Sequence, residues 1–208
     1  MYHGEKFNSI THVVGAALAL VGLVVLVVMA SMQGDPWRIV SFSIYGGSLV
    51  LLYTSSALYH SLRGRAKTVF RKLDHGSIYL LIAGTYTPIT LVLLRINYAG
   101  WAWALFGIIW GLALIGVVTD ALPTKGKRIL PLVLYLLMGW LITAAIVPLW
   151  RALPGTGFAW LVAGGLAYTF GAVFYVYDKR VPHFHGIWHL FVLAGSICHY
   201  LVMVLYVV

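Results

Sequence analysis

Charged positions divide this chain into long apolar runs. Seven charge-free stretches cover 7–34, 39–62, 75–94, 96–119, 129–150, 152–177 and 181–208. The shortest, 75–94, has 20 residues, about the length a helix needs to cross a bilayer. Each stretch is long enough for one crossing and too short for two. Apolar residues continue around every face instead of forming one stripe, as lipid contact demands, and a lone spanning segment must be helical to satisfy its own backbone. The pattern predicts an all-α polytopic membrane protein. It has seven transmembrane helices in a single domain, 1–208, with approximate spans 8–32, 37–62, 73–94, 100–120, 129–150, 157–177 and 184–207.

Local signals refine this outline. Asp35-Pro36 opens span 2, and Pro123, Pro154 and Pro182 mark loops. Pro88 falls inside span 3, where it is expected to kink the helix and free a backbone carbonyl near Tyr86 and Thr87. Gly107 and Gly111 in span 4, and Ala163, Ala167 and Gly171 in span 6, have the small-residue spacing of close helix packing. Trp37, Trp101, Trp103 and Trp150 fall near span ends, as an interfacial belt requires.

Composition agrees: 62% of residues are hydrophobic and 9% charged, which leaves almost nothing for a separate soluble domain. Glu5 and Lys6 precede a run too long for a signal-peptide core, so that run is expected to be the first helix. Cys198 is the only cysteine, which excludes an intrachain disulfide. The net charge of +9 would suit nucleic acid, but its distribution argues against that partner. Lys6, the 63–72 cluster, Lys125, Lys127, Arg128, Lys179 and Arg180 fall on one side of a seven-span chain. Arg38, Arg95 and Arg151 fall on the other. The positive-inside rule then places the N-terminus in the cytoplasm and the C-terminus outside, with the basic loops facing anionic lipid headgroups.

Against this apolar background, His60, Asp74, His185 and His189 stand out. They lie near one end of spans 2, 3 and 7, where ionisable residues are costly and mark functional sites. His185 and His189 are four residues apart, on one helix face, so both imidazoles can reach one metal ion. Three imidazoles suit Zn2+, and a catalytic zinc keeps three protein ligands and one open position for water. Asp74 is a candidate fourth ligand, or the group that accepts a proton from that water or orients it. Ser56, one turn before His60, has two readings: a hydrogen bond to substrate or water, or one to its own helix backbone. His75 points elsewhere around its helix, His183 precedes span 7, and His199 lies about 15 Å beyond His189. His12 is near enough to line the same cavity, but a buried, hydrogen-bonded structural role is expected for it. Tyr53, Tyr59, Tyr79 and Tyr86 are read as packing and interface residues.

The motifs Glu5-x-x-Asn8-x-x-Thr11-His12, Ser56-x-x-x-His60, Lys72-Leu73-Asp74 and His185-x-x-x-His189 resemble, in order and placement, those of the hemolysin III family. That family is the bacterial membrane-homeostasis branch of the progestin and adipoQ receptor superfamily. The resemblance covers essentially the whole chain. It implies a seven-helix fold with a cytoplasmic N-terminus in the bacterial plasma (inner) membrane. It implies zinc held by His60, His185 and His189, with Asp74 contacting the metal through water. Adiponectin-receptor relatives, and more distantly the alkaline ceramidases, imply hydrolysis of lipid amides. Bacterial members are linked to membrane fluidity or energy homeostasis, and the family name records haemolysis.

The leading expectation is therefore a zinc-dependent intramembrane hydrolase of an acyl-lipid amide. Asp74 would serve as general base and then proton donor, and the acyl chain would lie between helices. The expected partners are membrane lipid and a lipid-like substrate. Three rivals stand beside this reading: a sensor with structural zinc joining spans 2, 3 and 7, a hemolysin-type pore-former, and a bis-histidine haem protein. A monomeric pore would need a continuous polar lining, whereas here the polar residues gather at one end.

Overall fold

The computed structural model describes residues 4–122 and 129–208. Among them are seven helices long and apolar enough to span a membrane. These are α1 (Lys6–Gln33), α2 (Pro36–Ser61), α3 (Gly64–Leu94), α4 (Ala99–Ala121), α5 (Ile129–Ala152), α6 (Gly155–Tyr177) and α7 (Phe184–Val207). Pro123, Lys125, Lys127 and Arg128 lie outside the described residues. The turn between α1 and α2 follows the sequence signals. Gly34 closes α1 in the left-handed region (φ 70°), Asp35 accepts the Trp37 N–H, and Pro36 occupies the first turn, where no N–H is missed.

Helix α3 begins at Gly64, well before the expected start at 73. Hydropathy bounds the part that crosses lipid, not the helix itself. Arg65, Lys67, Arg71 and Lys72 are good helix formers, so they continue α3 beyond the apolar run. Lys72 then donates to the Ala121 carbonyl at the end of α4, at 3.0 Å. At Pro88 the expected break takes the form of a π segment, Ile89–Leu94. Thr90 Oγ1 donates to the Tyr86 carbonyl at 2.9 Å, close to where a freed acceptor was expected.

The most deeply embedded helix is α3, which packs between α2 and α4, while α1 packs on α2 and α7, and α6 on α7. A Cβ at Gly84 would collide with Ser48, so glycine lets α3 approach α2 this closely. Gly171 brings α6 onto α7, where a Cβ would meet Phe191 Cβ at 2.7 Å. The tight partner of Gly171 is Gly164 rather than Ala163, which is exposed. Gly107 and Gly111 mediate no contact among the described residues, since a Cβ at either meets nothing within 4 Å. Glycine is frequent in membrane helices whether or not it sits at an interface.

Helix α5 is interrupted by a 3-10 stretch, Leu141–Ala145. Tyr86 repairs the break. Its hydroxyl donates to the Met138 carbonyl at 2.8 Å and accepts the Ile142 N–H at 2.7 Å. Exposed Val, Leu and Ile side chains cover the outer faces of α1, α4 and α5. Trp37, Trp101, Trp103 and Trp150 are exposed at the end of the bundle opposite the histidines. There the Arg95 guanidinium lies 4.1 Å over the Trp37 ring, and Arg38 donates to the Val207 carbonyl at the end of α7.

Candidate metal centre

Each histidine of interest is delivered by the end of a helix. His60 lies in the last turn of α2, and His185 and His189 lie in the first two turns of α7. One ring nitrogen from each lies within 4.8 Å of the other two. His60 Nε2 and His185 Nε2 are 3.3 Å apart. Two nitrogens bound at about 2.0–2.1 Å to one tetrahedral ion sit about 3.3 Å apart, so this pair already has the spacing of co-ligands. His189 Nε2 is fully buried and has no hydrogen-bond partner.

The opposite ring nitrogens explain the arrangement. His60 Nδ1 donates to Glu5 Oε2 at 2.6 Å, and His185 Nδ1 donates to Asp178 Oδ2 at 2.7 Å. Thr11 Oγ1 lies 3.3 Å from His189 Nδ1. The Thr11 hydroxyl hydrogen is committed to the Phe7 and Asn8 carbonyls, so its oxygen is the acceptor. His60 and His185 therefore carry the proton on Nδ1 and turn Nε2 toward each other, and Thr11 favours the same tautomer in His189. That is the tautomer a metal needs, fixed from behind by acceptors, as in carboxylate–histidine–metal triads. The three histidines could hold a metal ion.

Glu5 lies just before α1, with its other oxygen accepting from Lys67 Nζ at 3.1 Å. Partial burial alone would raise its carboxyl. Hydrogen bonds with His60, Asn8 and Lys67 outweigh that and bring it down to about 2. Glu5 is thus a carboxylate throughout the physiological range.

Asp74 is buried in α3 but lies outside the three-histidine group. The Ser56 hydroxyl, also buried, is its hydrogen-bond partner. Asp74 lines a cavity between α3, α5, α6 and α7, together with His12 and Trp188. Beyond that polar end the walls are apolar, with Ile78, Ile82, Leu136 and Val192. A second cavity shares Thr85, Tyr86, Trp140 and His199 with the first and reaches Leu149 and Phe158. The two form one mainly apolar slot that starts at Asp74 and His12 and runs toward the other end of the bundle.

The remaining histidines separate. His199 donates to the Leu161 carbonyl at 3.2 Å and lines the slot where the two cavities meet. His75 and His183 are not in the group. His12 corrects the expectation. It is buried, but neither ring nitrogen has a hydrogen-bond partner. Tyr53 and Tyr86 do pack between helices, each hydrogen-bonded across an interface.

Sequence reasoning passed over Glu5 and Asp178 as supports of the histidines. A signal was present, because the chain has only five acidic residues. Asp35 caps α2, and Asp120 accepts from Tyr135. Of the other three, Glu5 and Asp178 bond the clustered histidines, and Asp74 bonds Ser56.

Residues 1–200 match the protein family described as Haemolysin-III related. The chain is 43% identical to Hemolysin-3 of Bacillus cereus over 204 residues, covering 98% of this chain and 91% of that one. It is 42% identical to the Hemolysin-3 homolog of Bacillus subtilis (strain 168), covering 98% and 94%. It is also 31% identical to the human Monocyte to macrophage differentiation factor, covering 93% and 80%.

Proposed function

Because the chain belongs to the haemolysin-III-related family of multi-pass membrane proteins, we propose that it is a zinc-dependent hydrolase acting within the membrane on an acyl-lipid amide. The observation that carries this reading is the cluster of three histidines, together with a buried acid that lines an apolar cavity. His60, His185 and His189 would hold the ion, which supplies Lewis acidity that acidifies water and polarises a carbonyl. Asp74 takes a proton from the attacking water and returns it to the leaving nitrogen, with Ser56 holding the carboxylate in place. The slot takes the acyl chain and keeps it out of bulk water. The histidine end faces the cytoplasm of a bacterial cell, the inner membrane being the site of action.

The experiment is direct. Purified protein is incubated with vesicles containing N-acyl lipids of varied head, and released fatty acid is quantified by mass spectrometry with and without chelator. Chelator-sensitive release supports the proposal. Release that persists in protein stripped of metal, or no release from any amide tested, overturns it.

A second reading has its own observation. The ligands come from α2 and α7, while their acceptors come from α1 and α6, so one ion would staple four helices. A sensor or another non-enzymatic protein with structural zinc needs no more than that. It predicts zinc-dependent thermal stability and no turnover by the wild type. The relatives named for haemolysis raise a pore-former as well. For that, leakage of dye from vesicles is the measurement, and the slot's apolar walls are unsuited to ions.

A further inference from the structure

His199 lines both cavities at the level where they meet. Leu190 and Ile197 of the same helix, α7, are exposed. At about 100° per residue, His199 points roughly half a turn away from both, so it faces the inside of the bundle. Its ring is fixed from one side. Nε2 donates to the Leu161 carbonyl of α6 at 3.2 Å, and the Nε2–Cδ2 edge packs on Gly164, where a Cβ would collide with both atoms. Nδ1 is the ring atom opposite that edge, so it points away from α6. With the proton on Nε2, Nδ1 carries a bare lone pair. It has no hydrogen-bond partner among the described residues, and unlike both nitrogens of His12 it keeps accessible surface. The hydroxyls around it are spent. Thr85 donates to the Leu81 carbonyl, Thr169 to Gly165 and Tyr86 to Met138, while Tyr168 bonds Ser196. An acceptor left bare in apolar surroundings is costly, so the occupant of the slot must bring a donor to it.

We propose that His199 selects an acyl chain carrying a hydroxyl group far from its head, with the O–H donating to His199 Nδ1. This rests on the reading that the slot takes an acyl chain whose head lies at the Asp74 end, and it specifies the chain. His199 is ten residues beyond His189 in α7, about 15 Å, and Thr85, which lines the same junction, is eleven beyond Asp74 in α3, about 16 Å. An extended chain advances about 1.2 Å per bond, so the hydroxyl belongs roughly twelve bonds from the head. A keto or ether group has no hydrogen to give. An ammonium would find no carboxylate at this level, since Asp74, the one acid lining either cavity, lies at the other end.

Trp140 and Trp188 line the slot, so 9,10-dibromostearamide bound there quenches their fluorescence. Stearamide, 2-hydroxystearamide and 12-hydroxystearamide are then compared as competitors that restore it, in detergent-solubilised protein whose metal content is measured throughout. The expected result is that 12-hydroxystearamide displaces the probe about three- to tenfold more strongly than the other two, the gain from one hydrogen bond. In His199→Phe, which has no acceptor, that preference should vanish, with stearamide still bound and metal content unchanged. His199→Leu should behave in the same way. Equal displacement by the three amides in wild type overturns the proposal and leaves the acyl-chain reading standing, and so does a preference that survives in both variants. The wild-type comparison needs no substitution, so it decides even where neither variant folds. Absence of saturable quenching in wild type removes lipid from the slot, and both readings fall together.

Discussion

Asp178 Oδ2 lies 2.7 Å from His185 Nδ1, and the two residues are seven apart across the turn from α6 to α7. The carboxylate is almost fully buried and holds the ring so that Nε2 faces His60. Asp178→Asn removes the charge and offers an amide that can rotate its N–H₂ toward the ring. Zinc affinity should fall about 10–100-fold, as for other acceptors behind a metal-bound histidine. Competition with a chromophoric chelator reads this directly, and an affinity equal to wild type would show that the carboxylate has no part in the centre. His185→Ala and His189→Ala should lose the ion outright.

Zinc retention should depend on pH in one direction. A metal takes the neutral imidazole, so protons compete for the same lone pairs, and ordinary imidazole titrates near about 6.5. Lowering pH therefore releases the ion, and raising it restores binding. Equilibrium dialysis from pH 8 to 5 should show full occupancy at the upper end and progressive loss below about pH 6. A flat profile would contradict ligation by three histidines.

Asp74→Asn separates chemistry from structure. Asp74 is outside the histidine group, so the variant should keep zinc. If Asp74 moves the proton, fatty-acid release should drop by about 10²–10⁴. Retained zinc with wild-type turnover would remove Asp74 from the mechanism.

Tyr86→Phe leaves the interrupted turn of α5 without its donor and acceptor. Two buried backbone groups lose their partner, which should destabilise the fold by about 1–3 kcal/mol. Thermal unfolding in detergent measures this. Zinc stoichiometry should stay at the wild-type value, because Tyr86 touches no member of the metal group.

Membrane orientation is tested by labelling. Arg65 is exposed in the first turn of α3, at the histidine end. With Cys198 replaced by Ser, Arg65→Cys should resist a membrane-impermeant maleimide in intact cells and react after lysis. Reaction in intact cells would invert the topology and carry the metal centre to the outer face.

Seven helices and the cluster of three histidines were legible because both follow from solvation. A charge interrupts an apolar run, and an imidazole inside one needs a reason. The supports behind the imidazoles were not. Glu5 and Asp178 sit just outside the spans, where charge is cheap and carries little information. Their partners are chosen by how α1 lies on α2 and how the chain turns into α7. The start of α3 was misplaced for a related reason, since hydropathy cannot distinguish a helix that ends at the lipid boundary from one that continues past it. His12 shows the converse: its depth could be read from the chain, but its lack of partners is a fact of three dimensions.

Glu5 and His60 are synthesised early, within the first two helices, while His185 and His189 arrive with the last. A nascent chain with six helices inserted has one imidazole already clamped and nothing for it to share an ion with. A metal held by these histidines could therefore seat firmly only once the final helix has entered and turned the correct face toward α1 and α2. Ion capture would in this sense be a proof of completed assembly. A chain stalled or cut before α7 is left with an open end at the same place where the finished protein is most tightly tied.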